Sequence, residues 1–189
     1  MRLTDLKLDL EDGDSSISET LRRITEETEM RKVIGNWCRE RSGDRYKLPQ
    51  EEEMADGKRP DLRFHGVGFD GPVPTELKLA EKWTGPKLFE RLEVQLCGDY
   101  LRDQRSRLGI FALVYSGKGK NSWELPSTAN AVDFSGLVDA LQNHWASIAH
   151  RFPKVDDIRV IGIDLTKRMD RKPEKRTARS QSGNGQDSA

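Results

Sequence analysis

The chain has 189 residues, which suits one ordinary domain, and its 32 basic side chains are balanced by 32 acidic ones. That balance excludes a uniformly basic surface as the means of binding nucleic acid. No run of about 18 apolar residues occurs, so we expect no membrane span and no membrane partner. The first residues lack the apolar stretch of a secretory signal, and the two cysteines, Cys38 and Cys97, predict reduced thiols in a cytoplasmic protein.

Charge and apolar patterning divide the chain into three segments. Residues 1–14 are acidic, residues 15–166 carry the periodic apolar patterns of a folded α/β domain, and residues 167–189 are basic and then polar. The last segment is too polar to fold and predicts a disordered tail. That tail is either a solvated end or an arm that raises affinity for nucleic-acid phosphates.

Helices and strands alternate along residues 15–166. Ser16–Glu19 has the spacing of a capping box, and the apolar stripe after it predicts one or two helices between Ile17 and Arg41. After these helices the sequence predicts a short strand (Tyr46–Gln50), a hairpin (Leu62–Val67 with Val73–Ala80), a helix (Thr84–Arg102) and a buried strand (Gly109–Tyr115). It then predicts a loop (Lys118–Pro126), a helix capped by Asp133 and a last strand (Asp157–Leu165). This order predicts a central mixed sheet flanked by helices.

The hairpin decides which polar side chains can meet. Its apolar residues share one face only in every second register. A turn centred between Gly68 and Phe69 selects the register in which Asp61 lies opposite Glu76, with Lys78 two residues further along the same face. Directly opposed side chains have Cβ atoms about 4.5–5.5 Å apart. Burial of the apolar face therefore brings Asp61, Glu76 and Lys78 together on the other face.

Two opposed carboxylates repel each other unless a cation neutralises them, and Mg²⁺ binds one or two carboxylates while keeping waters and phosphate oxygens. A lysine beside that ion can position or deprotonate the attacking water, or offset charge in the transition state. Gln95, at the margin of the next helix's buried stripe, predicts an amide that orients the water or a phosphate oxygen. The alternatives are a solvated ion pair on a strand surface, and an ordinary α/β scaffold in which Asp61 and Glu76 point to opposite sides of the sheet.

These residues resemble a known family. Pro60-Asp61, then Glu76-Leu77-Lys78, then a helix with Gln95 and Tyr100 is similar to the PD-(D/E)XK nuclease superfamily, which has the restriction-endonuclease-like fold. The resemblance covers roughly residues 17–165 and implies an αβββαβ core with a further helix and strand. The stretch Gly109–Trp123 also resembles nuclease-like modules of bacterial defence proteins.

The resemblance implies a metal site and its ligands. It implies that Asp61, Glu76 and the main-chain carbonyl of Leu77 bind Mg²⁺, with Mn²⁺ as a possible substitute, and that Lys78 assists the attacking water. It also implies a further acidic ligand upstream, for which Glu51 is chosen, although Glu52 and Glu53 fit equally well.

The implied function is hydrolysis of nucleic acid, with DNA favoured over RNA, in bacterial defence or DNA processing. The candidates for nucleic-acid contact are Lys58, Arg59, Arg63, Lys82 and Trp83. Each has a simpler alternative as a solvated loop residue, a sheet-edge residue or a packing residue. A homodimer, or a complex with an ATPase or recognition subunit, is the expected assembly. The alternative function is a nuclease-fold module with little turnover that binds nucleic acid or protein within a larger assembly.

Overall fold

The structure, a computed structural model, describes residues 2–13, 17–49, 60–66, 70–102, 105–126 and 128–167. Its helices are α1 (Arg2–Glu11), α2 (Ile17–Arg23), α3 (Glu27–Glu40), α4 (Gly85–Glu90) and α5 (Phe134–Ile148). Its strands are β1 (Tyr46–Lys47), β2 (Leu62–Gly66), β3 (Val73–Leu79), β4 (Leu108–Tyr115), β5 (Trp123–Leu125), β6 (Thr128–Val132) and β7 (Asp157–Asp164). None of the helices in these ranges is long and apolar enough to cross a bilayer.

The central sheet has five strands in the order β1-β2-β3-β4-β7. The first three strands are antiparallel neighbours, while β3, β4 and β7 run parallel to one another. This arrangement confirms the predicted α/β class with a mixed sheet between helices. The one or two helices predicted between Ile17 and Arg41 are present as two, α2 and α3, and the capping Ser16 lies outside the described residues.

Helices cover both faces of the sheet. Leu77, Ala112 and Val114 pack with the apolar residues of α1, α2 and α3. Phe111 and Leu113 point the other way and pack with α4, α5 and the helical turns between α4 and β4. A strand covered on both faces is normally apolar throughout. All seven residues of β3 are buried, so its charged residues stand out.

The helix predicted over Thr84–Arg102 is helical but not uniformly α. After α4 the chain continues as a π-helix over Arg91–Asp99 and as a 3₁₀ turn over Tyr100–Arg102. Apolar periodicity does not distinguish these forms, because each buries one stripe of side chains. π-helical turns are rare and frequently lie at functional sites, and this one contains Gln95.

Three elements, α1, β5 and β6, are absent from the sequence prediction. Residues 1–14 are predicted as a separate acidic segment, yet α1 buries Leu3, Leu6 and Leu10 in the core. The loop predicted over Lys118–Pro126 is partly wrong, because β5 begins at Trp123 and pairs with β6. The buried indole of Trp123 anchors this small hairpin by donating to the Ala80 carbonyl at 3.1 Å. A three-residue strand is too short for its alternation to be read from sequence.

The outer edge of β7 is covered by side chains from α5 and α1. Gln142 of α5 donates to the Ile158 carbonyl at 3.0 Å and accepts from the Val160 amide at 2.8 Å. Glu11 of α1 accepts from the Asp164 amide at 2.8 Å. These side chains satisfy backbone groups that an edge strand would otherwise present to another chain.

Candidate active site at the β2–β3 hairpin

The hairpin has the predicted register. Leu62 pairs with Thr75 and Phe64 with Val73, and one step further along this ladder Asp61 lies opposite Glu76. The interpretation that these two carboxylates point to opposite sides of the sheet is therefore wrong. Asp61 is also fixed by its Oδ2 atom, which accepts a hydrogen bond from the Leu77 amide at 2.8 Å.

Lys78 lies within the same group of buried charges. Its ammonium contacts Oε1 of Glu76 and lies 3.5 Å from Oε2 of Glu27. Only 7% of the Lys78 side chain and 1% of the Glu76 side chain are exposed. The ion pair is therefore buried, which excludes a solvated pair on a strand surface.

Glu27, the first residue of α3, is an acidic member of the site that sequence reasoning missed. Its Oε1 atom accepts from the Leu79 amide at 3.1 Å and from the Trp83 indole at 2.6 Å. Glu51, chosen as the upstream acid, lies outside the described residues together with Glu52 and Glu53. No local pattern distinguishes Glu27 from Glu26 or Glu29, because only the fold brings the start of α3 to β3.

The site contains more carboxylates than cations. Asp61, Glu76 and Glu27 surround Lys78, and the second cation is Arg31 of α3, whose Nη1 atom lies 3.7 Å from Oδ1 of Asp61. Burial and the neighbouring Asp61 carboxylate together raise the pKa of Glu76 to about 8, although Lys78 opposes the change. Burial also raises the pKa of Asp61, although the Leu77 amide and Lys78 oppose it. In the metal-free protein the pair therefore retains a proton near neutral pH.

The pKa of Lys78 is also raised, but for a lysine this favours the charged form. Burial alone would lower its pKa, but the carboxylates of Glu76, Glu27 and Asp61 outweigh burial and raise the pKa above its usual value. The side chain is therefore an ammonium ion at neutral pH. It can donate hydrogen bonds and offset negative charge, but it is not a free amine that accepts a proton.

Gln95 approaches this group through Tyr100. Its Nε2 atom donates to the Tyr100 hydroxyl at 2.7 Å, and its Oε1 atom is buried without a hydrogen-bond partner among the described residues. Burial raises the pKa of Tyr100, and the nearby charge of Glu76 raises it further. Tyr100 thus stays protonated beside Glu76 and connects the π-helix to the carboxylates.

The predicted nucleic-acid contacts have different surroundings. Lys58 and Arg59 lie outside the described residues, and Arg63 is buried and engaged in contacts. Lys82 is exposed and pairs with Glu26 at 3.0 Å. Trp83 is half-buried and touches the site directly, since its ring centroid lies 5.1 Å from the Lys78 ammonium and its indole nitrogen holds Glu27.

The donor set of the hairpin fits a small divalent cation. In the described ranges no group of three His, Cys, Asp or Glu side chains is arranged to hold a metal ion. Mg²⁺ needs only one or two carboxylates and completes its shell with water and phosphate oxygens. Glu76 and Asp61 place two buried carboxylates side by side, and together with Glu27 they outnumber the two nearby cations, Lys78 and Arg31. Carboxylate oxygens are ligands that Mg²⁺ prefers.

Comparisons with family models, with curated proteins and with solved structures give no match to this chain.

Proposed function

We propose that this protein is a divalent-metal-dependent nuclease that hydrolyses phosphodiester bonds, with DNA favoured over RNA. The observation that carries the proposal is the buried Lys78 ammonium, surrounded by Glu76, Glu27 and Asp61 on a core strand. Charged residues are rarely buried without a role, and perturbed pKa values concentrate at functional sites. The mixed sheet, whose β2–β3 hairpin carries this group, supports a restriction-endonuclease-like fold as part of the proposal.

Asp61, Glu76 and the Leu77 carbonyl would hold the metal. When bound, Mg²⁺ or Mn²⁺ supplies a Lewis acid that polarises the phosphate and lowers the pKa of a coordinated water. Asp61 is pre-oriented for this role by the Leu77 amide. Glu76 must lose its proton to act as a ligand, so metal affinity rises with pH toward 8.

Lys78 and Gln95 act on the reacting groups. Because the Lys78 ammonium is charged and buried, it stabilises the negative charge that develops on the phosphate oxygens in the transition state. The unpartnered Oε1 atom of Gln95 accepts a hydrogen bond from the attacking water and orients it. Glu27 holds Lys78 in place and is itself held by Trp83 and the Leu79 amide.

The test is a cleavage assay on single- and double-stranded DNA and RNA, each with Mg²⁺, Mn²⁺ or EDTA. We expect cleavage with either metal, none in EDTA, and a fall of about 10²–10⁴ in rate for Lys78→Met and Asp61→Ala. Lys154→Ala, an exposed lysine in the turn before β7, is the matched control and should cleave normally. Equal cleavage by all variants would indicate a contaminating nuclease and would overturn the proposal.

Binding without cleavage would support the alternative of a nuclease-fold module with little turnover. The same preparations therefore need a binding measurement on each nucleic acid. Cleavage of both strands of a duplex at one place requires two such sites, so we include a homodimer in the proposal. Sedimentation with and without duplex DNA tests it, and a monomer that nonetheless cuts both strands together would contradict it.

A further inference from the structure

The loop Ser116–Lys120 lies beside the candidate active site. It follows β4, whose parallel pairing with β3 places Leu113 next to Lys78 and Val114 next to Leu79. The chain therefore leaves β4 close to the point where it leaves β3. Ligands of open α/β sheets bind outside the carboxyl ends of parallel strands, and this loop occupies that position.

Both ends of the loop are fixed to the segment that follows β3. Oε1 of Glu81 accepts from the Ser116 amide at 3.2 Å and also from the Ser116 hydroxyl. At the other end, the Lys120 ammonium donates to the Trp83 carbonyl at 3.3 Å. Because Trp83 also holds Glu27, the loop is connected to the active-site carboxylates through one residue.

Two glycines shape the loop. Gly117 and Gly119 both have φ near 79°, which L side chains rarely adopt. A Cβ at Gly117 would meet Cγ2 of Thr166 at 2.4 Å, whereas a Cβ at Gly119 would have no atom within 4 Å. Open space therefore lies in front of Gly119, next to Lys118. Left-handed residues alternating with others turn successive backbone amides toward one side, which is how anions are bound by main-chain N–H groups.

The two lysines of the loop differ from the other cations nearby. Lys82 is paired with Glu26 at 3.0 Å, and Lys87 with Glu90 at 2.7 Å. In the part of the chain that the structure describes, neither Lys118 nor Lys120 forms an ion pair with a carboxylate, and Lys118 is exposed. The loop thus presents two lysines that no described carboxylate pairs with, while the one carboxylate that contacts the loop, Glu81, lies at its Ser116 end.

We propose that Ser116–Lys120 is a phosphate-binding loop. It binds a backbone phosphate of the substrate strand, next to the phosphate that enters the active site. This inference rests on the proposed function, because it assigns the loop's ligand to the same substrate. Lys118 supplies the charge, the glycine-rich backbone supplies amide donors, and Lys120 ties the loop to Trp83. Contacts of this kind position a strand without reading its sequence.

The experiment measures nucleic-acid binding in EDTA, where no metal-dependent cleavage occurs, for the full chain and for Lys118→Ala. The probes are a fluorescent single strand and a duplex of the same sequence, at several salt concentrations. The slope of log affinity against log salt is negative, and loss of one phosphate contact should reduce its magnitude by about 0.9 for the duplex and about 0.7 for the single strand. Affinity should fall equally for unrelated sequences.

Lys154→Ala is the matched control, because Lys154 is also exposed but lies at the amino end of the parallel strands. It should keep the wild-type slope. Lys118→Glu should weaken binding further than Lys118→Ala, and its thermal midpoint should match that of the wild type because the side chain is exposed.

The outcomes separate the two proposals. Wild-type cleavage in Mg²⁺ with an unchanged slope for Lys118→Ala would overturn the loop site and leave the nuclease standing. A slope that depends on Lys118, in a protein that cleaves nothing, would support the loop site and overturn the nuclease. A protein that binds no nucleic acid would overturn both.

Discussion

Two glutamates, Glu11 and Glu76, both expose very little of their surface, but the pKa of Glu11 is lowered and that of Glu76 is raised. Glu11 accepts from the Lys7 ammonium at 2.6 Å, the Lys167 ammonium at 2.9 Å and the Asp164 amide at 2.8 Å. Burial alone would raise its pKa, yet these hydrogen bonds outweigh burial and lower it. Glu76 has a comparable burial, one ammonium contact shared with Glu27, and a raised pKa.

The Glu11 group is a structural ion cluster, whereas the Glu76 group carries more negative than positive charge. The Glu11 group joins α1 to the end of β7, and both of its carboxylate oxygens have partners. At Glu76, three carboxylates share two cations, Lys78 and Arg31. The proposed divalent cation would neutralise this excess of buried negative charge.

The largest expected effect is on catalysis. Lys78→Met removes the buried ammonium but keeps much of the side-chain volume, so cleavage should fall by about 10²–10⁴. Lys7→Met makes the corresponding change in the Glu11 group and should leave the rate per folded molecule unchanged. Rates measured with Mg²⁺ and normalised to folded protein check this pair. A comparable rate loss in both variants would remove the distinction between the two groups.

The next effect is on stability at the Glu11 group. Glu11→Ala leaves the Asp164 amide without its acceptor and removes the partner of Lys7 and Lys167, so unfolding should become easier by about 1–3 kcal/mol, the cost of an unsatisfied buried donor. Denaturant unfolding at pH 7 measures the change. Glu19→Ala, which removes an exposed acid on α2, is the control and should change stability by less than about 0.5 kcal/mol. A cost that small for Glu11→Ala would contradict a structural role.

At Glu76, in contrast, we expect substitution to increase the free energy of unfolding when no divalent cation is present. Glu76→Gln leaves two carboxylates for two cations, so the variant should be more stable than the wild type by about 1–3 kcal/mol at pH 8, the cost of a buried unsatisfied group. Equilibrium unfolding in EDTA measures it. Destabilisation at pH 8 would show that Glu76 is as well satisfied as Glu11.

The stability difference between Glu76→Gln and the wild type should change with pH, because the wild-type protein loses stability as Glu76 ionises. The folded-state pKa of Glu76 is about 8 and its ordinary value is 4.5, so between these values the folded protein holds a proton that the unfolded chain has lost. The contribution of Glu76 to the free energy of unfolding is therefore fully present below pH 4.5 and is lost as pH rises through 8. Glu76→Gln should flatten that decline, and a pH series of unfolding curves for the two proteins tests the sign.

The smallest effect is at Trp83. Trp83→Phe removes the indole donor to Glu27 and should cost about 1 kcal/mol of stability. It should also lower cleavage, because Glu27 holds Lys78. Trp37→Phe is the control, since the buried Trp37 nitrogen has no hydrogen-bond partner among the described residues. If both variants cleave at the wild-type rate, Trp83 does not position the site.

The parts of the site that local sequence could predict are those set by strand alternation. The apolar residues of the β2–β3 hairpin permit every second register, and the position of the turn selects the one that places Asp61 opposite Glu76 with Lys78 on the same face. Asp133 capped α5 as expected, with its Oδ1 atom accepting from the Gly136 amide at 2.8 Å. Both depend on neighbours that are close in sequence or joined by one turn.

The parts that could not be predicted depend on packing between distant segments. Glu27 reaches Lys78 across 51 residues of sequence, and its own surroundings in the chain are simply acidic. The leucines of α1 have helical spacing, but the many charges between them suggested a separate acidic segment. The π-helix of Gln95 has the same apolar stripe as an α-helix, so periodicity alone cannot distinguish them.

The most direct test of the account is calorimetric titration of Mn²⁺ into the wild type, Glu76→Gln and Glu11→Gln at pH 7, in two buffers of different ionisation enthalpy. We expect the wild type to bind Mn²⁺ with release of a proton, because Glu76 must ionise to become a ligand. Glu11→Gln should behave in the same way, and Glu76→Gln should lose both the binding and the proton. Equal binding by all three proteins, or none by the wild type, would contradict the claim that Glu76 is held ready for a cation.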